Sequence, residues 1–462
     1  MSDYAIAAAV AVAAAFAFAY SQDRAETDAQ KAARAYVFGL PIVMTYCTIS
    51  EYFVDENSGE YKGVGLDTFK HEHRVYSYKD KSVVTPNADT PYSVALIDLR
   101  GGPVVLSVPK VESGRYYCVQ FIDMNTYNFG YVGSRSTGNE KGSFVAAMAG
   151  WKGTLPPGAK GVFFSTTPFA LVLGRIQLFS KSDMRNVVRI QNGMGLEPLR
   201  GNETRSPAKF AVVSSKMVKT AQFWDVLDAA LEYVPKTREN AVIMREMGEL
   251  GIGPLGRSVG RSRALGTGMK LGAKIVGDRT KTIGIKSNGW AISTGGGDKK
   301  HYSGNWLDRA AIASLGIYAN DAVEAVYPFA MTSADGKPLD GGKSNYTISF
   351  DEKLMPPVKA FWSITAYDAK TRLFVKNDVD RYLVNSTMVG AMKKDNGLVK
   401  IHLGASSPGK ELENNWLPIP PGPTFLVMRL YWPEVKGSTV LPVGRGTWNP
   451  PPIVVTEKRG MR

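Results

Sequence analysis

The chain has 462 residues, 44% of them apolar and 21% charged, with 47 glycines and 26 prolines. This balance excludes a disordered polypeptide, and the length exceeds what one ordinary core organises, so two domains with connections are expected. The net charge of +14 raises nucleic-acid binding, but the densest basic run, residues 257–286, holds no aromatic side chain on which a base could stack and no zinc-finger or RNP-type motif.

At the N-terminus, Tyr4–Tyr20 carries no charge. As a helix it spans about 25 Å, a little short of a hydrocarbon core of about 30 Å. Ala17-Phe18-Ala19 suits a signal peptidase, whereas Arg24, Lys31 and Arg34 behind the apolar run favour an uncleaved anchor with its N-terminus outside. Residues 1–24 are expected to be a signal peptide or membrane anchor, giving an exported or membrane-anchored protein; the alternative is an alanine-rich helix packed on the body. From Ala25 to Tyr52 apolar residues recur at helical spacing, interrupted at Pro41. Residues 82–175 come in short β-branched and aromatic bursts (VALIDL, VVLSVP, YYCVQFIDM, GVFFSTT, ALVLGRIQLF) that read as strands. Alternation makes Cys118 a buried strand residue. It and Cys47 are the only cysteines, too few for a disulfide framework and not spaced for a metal.

Ser182-Asp183 is placed to cap a helix starting at Met184. KTAQFWDVLDAALEYV is amphipathic, with Phe223, Val226, Leu227, Ala230 and Leu231 on one face and Pro235 as its stop. Asn240–Leu250 reads as another helix, closed by Gly251. The basic run (Arg257, Arg261, Arg263, Lys270, Lys274, Arg279, Lys281 and Lys286 against Asp278) fits a solvated helix, or one facing anionic lipid or an acidic partner. No nucleic-acid partner is expected. Beyond about residue 300 strands return in NYTISF, AFWSITAYD, LVKIHLG and TFLVMRLYWPE. The fold class is therefore α+β and β-rich. A mixed N-terminal domain (25–205) precedes a helical connecting segment (206–300) and an antiparallel, jelly-roll-like β-sandwich (301–462).

No Walker A motif, no G-x-G-x-x-G behind a strand and no G-x-S-x-G elbow is present, so no cofactor is expected. His71 and His73 project from one face of an extended segment, which could begin a metal site with Asp89 or Asp123 as a third ligand. Without an H-E-x-x-H or a cysteine pair, one hydrogen-bonded and one solvated histidine is the simpler account, and no metal is expected. In TPNADTPYS, Pro86 pushes Thr85 toward extended backbone, and Asn87, Asp89 and Thr90 can each bond backbone amides across the turn. Arg115 and Asp123 add opposite charges in neighbouring predicted strands. Because a lone buried charge is costly, Asp89, Asp123, Arg115 and Arg175 are expected to share one polar network, either structural or lining a pocket. Near the C-terminus, Trp416 and the prolines after it form a rigid bend, with Arg429 and Tyr431 alternating outward beyond it. This is a sandwich corner with an aromatic plug or, alternatively, an aromatic platform for a flat ligand.

These stretches resemble a two-domain family of bacteria and large DNA viruses that pairs domain of unknown function 1254 with domain of unknown function 1214. The first is carried by FKHEHRVYS, VVTPNADTPYSVALIDLRGGPVVLSVP and RYYCVQFIDMNTYNFGYVG, the second by FWSITAYD, DNGLVKIHLG, NNWLPIPPGPTFLVMRLYWPE and GTWNPPPI. The family's PN-x-DTLYS appears as PNADTPYS, with Pro91 in place of Leu. The resemblance implies the α+β and β-sandwich pair, an export signal and no established activity. His71, Asn87, Asp89, Tyr92, Arg115, Asp123 and Arg175 are carried over as motif residues without roles. Two functions are expected. One is a binding or structural protein, exported or membrane-tethered, oligomeric and part of a virus particle in the viral case. The other is a hydrolase acting on a small molecule or glycan, with Asp89 or His71 as general base and Arg115 stabilising negative charge.

Overall fold

The computed structural model describes residues 27–81, 85–199, 207–253, 263–293, 297 and 299–458; the expected signal or anchor, residues 1–24, lies outside them. The first helix, α1 (Asp28–Ile49), opens on a capping box. Thr27 Oγ1 accepts from Gln30 N at 3.3 Å and Gln30 Oε1 accepts from Thr27 N at 2.9 Å. The helix runs on as one π-helical turn, Ser50–Val54. Pro41 sits inside α1 and brings no amide to the preceding turn. There Phe38 O accepts from Arg309 Nη2 at 2.6 Å. By length and composition Asp28–Val54 could also cross a membrane, with 67% of its apolar window buried inside the protein.

After α2 (Met184–Asn192), four helices pack on α1: α3 (Phe223–Leu231), α4 (Ala241–Glu249), α5 (Arg263–Thr282) and α6 (Trp306–Gly316). The apolar stripe foreseen for α3 is the buried one. Helix α5 comes so close to α1 that only glycine fits at two positions. A Cβ on Gly268 would lie 2.4 Å from Ala32 Cβ, and one on Gly272 2.8 Å from Tyr36 Cδ1. The segment expected to connect two domains is therefore a layer. With α1 it covers one face of the first sheet, through Val94, Leu96, Ile122, Leu171 and Leu173.

That sheet is built from β1 (Lys70–His71), β2 (Tyr92–Asp98), β4 (Tyr117–Asp123), β5 (Asn128–Gly133) and β8 (Phe169–Ile176), in the order β1-β2-β8-β4-β5. Its other face, including Ala95, Ile97, Val119, Phe121 and Val172, packs on a second sheet of β3 (Val104–Val108), β6 (Gly142–Met148), β7 (Ala159–Ser165) and β9 (Gly195–Pro198). Covered on both faces, β2, β4 and β8 read as nearly continuous apolar runs.

The C-terminal domain is a two-sheet sandwich. One sheet contains Ile285–Ser287, Trp290–Ile292, β10 (Pro328–Ala330), β12 (Trp362–Asp368), β14 (Thr424–Tyr431) and Leu383–Asn385; it starts before the boundary expected at residue 300. The other contains β11 (Ser344–Asp351), β13 (Leu398–Gly404) and Ile453–Lys458, with Trp416–Pro418 pairing parallel to β13. Ile348, Phe350, Ile364, Ile401, Leu426 and Met428 fill the space between the sheets. The alternate residues of β12 and β14 point the other way, toward the N-terminal domain.

Candidate functional site

The turn before β2 crosses that gap. Asn87 Oδ1 accepts from Asp89 N at 2.7 Å, the Asx turn its sequence suggested. The rest of the segment binds the other domain. Asn87 Nδ2 donates to Tyr431 Oη at 2.9 Å and to Thr90 Oγ1 at 3.1 Å. Tyr367 Oη donates to Pro86 O at 2.6 Å, and Ser363 Oγ to Asp89 Oδ2 at 2.5 Å. Arg429 donates to Thr85 O at 3.3 Å, to Thr365 Oγ1 at 2.7 Å and to Tyr367 Oη at 2.9 Å. Held between Arg429 and the carbonyl of Arg372, Thr85 takes φ +50 instead of the extended backbone expected before proline.

Arg429 and Tyr431 thus do not alternate outward to solvent. They are 5% and 1% exposed, at the seam between the domains. Ser363 stands opposite Arg429 in the β12–β14 register, so one strand face carries Ser363, Thr365 and Tyr367 and its neighbour Arg429 and Tyr431.

Across the seam, Tyr92 and Cys118 flank Arg175 as cross-strand partners on the helix-side face of the first sheet. Arg175 Nη1 donates to Gln120 Oε1 at 2.5 Å and its Nε to Tyr92 Oη at 3.4 Å. The side chain is 6% exposed, and no carboxylate among the described residues pairs with it. Tyr92 and Tyr327 each keep part of their surface exposed, and the Tyr76 ring lies 6.3 Å from that of Tyr92. Burial alone would push the Tyr92 phenol up, but the Arg175 guanidinium, aided by Arg429 and Asn87, holds it below its ordinary value. Asp89 is 2% exposed. Burial pushes its carboxyl up, against the pull of Arg429, Ser363 and Asn385. Its Oδ1 has no partner in hydrogen-bond geometry among the described residues, although Asn385 lies near enough to draw the carboxyl down. A third tie is Glu324, which accepts from Tyr116 Oη at 2.6 Å and from Arg135 Nε.

The structure does not bring the other predicted residues to this seam. Arg115 faces the opposite side of the first sheet. It donates to both oxygens of Asp183 at 2.6 and 2.8 Å, to Glu112 at 2.7 Å and to Gln177 O at 2.6 Å. Asp183, foreseen as the cap of α2, gives that helix no capping bond. Burial would raise it, but Arg115, Asn186 and the Phe179 amide hold its carboxyl at about 2. Asp123 closes the β4–β5 turn, accepting from Asn125 N at 2.9 Å, Tyr127 N at 3.0 Å and Thr166 Oγ1. With Arg115 just ahead of β4 and Asp123 at its end, eight residues separate them by about 26 Å. Asp89, Asp123, Arg115 and Arg175 therefore do not form one network.

His71 sits on the same far side as Arg115, its Nδ1 2.8 Å from Ser93 Oγ, so His71, Asp89 and Arg115 do not converge as a catalytic set. Trp416 is 4% exposed and donates through Nε1 to Gly404 O at 2.9 Å, so its indole plugs the corner. Cys47 and Cys118 are both free and buried.

Burial and the neighbouring His73 bring the His71 pKa down to about 4. The unfolded chain takes up a proton near the ordinary value of about 6.5 that the folded protein refuses until about 4. Stability is thus complete above that upper value and is lost as pH falls through the window. The melting temperature should drop between pH 7 and 4.5, and His71→Gln should flatten that slope; an unchanged slope would show that His71 does not set it.

Sequence reasoning missed Ser363, Thr365, Tyr367, Tyr327 and Gln120. The signal was available in S-x-T-x-Y on β12 opposite R-x-Y on β14, a polar stripe in strands otherwise apolar enough to be covered on both faces.

Two protein families match the chain, each described as protein of unknown function: DUF1254 over residues 66–198 and DUF1214 over residues 324–435. Tyr92 and Arg175 fall in the first stretch and Tyr327, Ser363 and Arg429 in the second. A crystal structure of the VPA0106 protein from Vibrio parahaemolyticus is similar at a TM-score of 0.70 and 22% identity, covering 93% of this chain and 100% of that one. A crystal structure of an uncharacterized protein from Burkholderia cenocepacia is similar at a TM-score of 0.45 and 11% identity, covering 93% of this chain and 94% of that one. No curated protein matches the chain.

Proposed function

The chain belongs to the two-domain family that pairs DUF1254 with DUF1214, and from that premise we propose that the seam between the domains binds a small organic anion. We further place the protein at a membrane, tethered by the apolar run Tyr4–Tyr20. One observation carries the binding reading: Arg175 is 6% exposed with no carboxylate partner among the described residues. A guanidinium taken out of water without a counter-charge costs several kcal/mol, and a ligand carboxylate or phosphate removes that cost with paired N–H donors.

Beside Arg175, the hydroxyls of Tyr92 and Tyr327 offer further polar contacts. The partly exposed rings of Tyr76 and Phe329 suit an aromatic or short apolar body attached to the charge. Binding is favoured over hydrolysis because His71 and Arg115 lie on the far side of the sheet from Asp89.

The test is a thermal-shift panel on the full-length protein in detergent, comparing aryl and alkyl carboxylates and phosphate monoesters with their neutral amides and alcohols. A fitting acid at about 100 times its Kd stabilises by about 2.7 kcal/mol, so acids should raise the melting temperature where their neutral counterparts do not. A panel in which acids and neutral analogues shift alike, or not at all, would sink the proposal.

A further inference from the structure

Helix α5 has two faces with different chemistry. Leu265, Gly268, Gly272 and Val276 are buried against α1. Directly opposite stand Arg263, Lys270, Lys274 and Lys281. Their spacings of seven, four and seven keep all four within about 40° of one line at 3.6 residues per turn, over about 27 Å of helix. Among the described residues the stripe meets one carboxylate, Asp278, which Lys274 and Lys281 share at 2.6 and 3.1 Å; Arg279 turns inward to Asp308 at 2.5 Å. Leu271 and Ile275 lie along one side of the stripe and are 38% and 37% exposed. A long outward row of cations edged with apolar side chains is the surface of a helix lying on an anionic membrane.

Where α5 sits decides between lipid and other anions. Gly268 meets Ala29 and Ala32, and Gly272 meets Ala33 and Tyr36, so α1 and α5 run in the same direction and start side by side. Only seven residues separate Tyr20, the end of the uncharged apolar run, from Asp28, a reach of at most about 29 Å. The chain therefore enters α1 at the end of the molecule where the basic stripe begins, a short stretch of sequence after the apolar run. A nucleic acid would want aromatic side chains on this face, and α5 has none.

We propose that the outward face of α5, through Arg263, Lys270, Lys274 and Lys281, docks on the anionic lipid headgroups of the membrane that holds the N-terminal run. This deepens the membrane reading and is independent of the seam. The full-length protein is reconstituted into vesicles of neutral phosphatidylcholine, or of the same lipid with about one third phosphatidylglycerol, and lysine acylation is followed by mass spectrometry. Labelling of Lys270 and Lys274 is expected to fall at least threefold in the anionic vesicles relative to the exposed Lys410 on the other domain. The difference should vanish in about 1 M salt, where the Debye length is about 3 Å.

Equal labelling in the two vesicles, or protection by added RNA with neutral vesicles, overturns the lipid face while leaving the tether standing. Failure to associate with either vesicle overturns the tether and this inference together. Lys270→Gln/Lys274→Gln in the same chain should reduce the protection of Lys281; unchanged protection counts against the stripe acting as a unit.

Discussion

Arg175→Gln is expected to leave the unliganded protein folded, with its melting temperature within a few degrees of the parent or above it, while anion binding weakens by about two orders of magnitude. The substituted amide still reaches toward Gln120 Oε1, the partner at 2.5 Å, so the strand keeps a hydrogen bond and sheds a buried charge. A residue kept for stability behaves in the opposite way, because removing it exposes the cost of its absence. Differential scanning calorimetry and isothermal titration with an acid from the panel read both quantities. A collapse in melting temperature with binding intact would make Arg175 a structural residue and end the binding proposal.

Asn87→Ala is expected to be the most damaging single change at the seam. It removes the acceptor of the Asp89 amide and the donor to both Tyr431 and Thr90, within a region that is almost fully buried. At about 1–3 kcal/mol for each of the three buried groups left unsatisfied, the loss is at least about 3 kcal/mol. The damage falls on the contact between domains, so calorimetry should show one unfolding transition splitting into two. Tyr431→Phe, which removes a single hydroxyl and leaves Asn87 bonded to Thr90, should cost about 1 kcal/mol and keep one transition. Two variants with equal effects would show that Asn87 is not the latch.

Much of the architecture was legible because it rests on period. Short β-branched and aromatic runs between turn residues located β2, β4, β8, β12 and β14, and a 3.6-residue stripe located α3 with its stop at Pro235. Partner choice was not legible. Arg115 and Asp123 suggested a pair by opposite charge and nearness in sequence, yet a strand between them acts as a spacer, and Arg115 found Asp183 on the far side of the first sheet. Asp89 met Ser363, 274 positions away, a distance in sequence that no local pattern encodes. The motif itself was visible, with Asn87, Asp89, Tyr92 and Arg175 all drawn to the seam or its wall. What was hidden was that half of their environment comes from β12 and β14, whose polar faces look solvent-exposed in a sequence read strand by strand. The helical layer was misjudged for a similar reason: α1 covers a sheet only once α3 to α6 return to it from the middle of the chain.

The hydrogen bonds that join Pro86, Asn87 and Asp89 with Tyr367, Tyr431 and Ser363 respectively also bear on how the family's two halves can be inherited. Either half by itself would carry a slab of hydroxyls, an arginine and a carboxylate built to be covered, with nothing on it but water. A polypeptide keeping only one of them would have to recruit the complementary piece from another gene product, or trade that slab for an ordinary wet surface. Shuffling at the boundary is therefore constrained by chemistry that neither module displays when viewed alone.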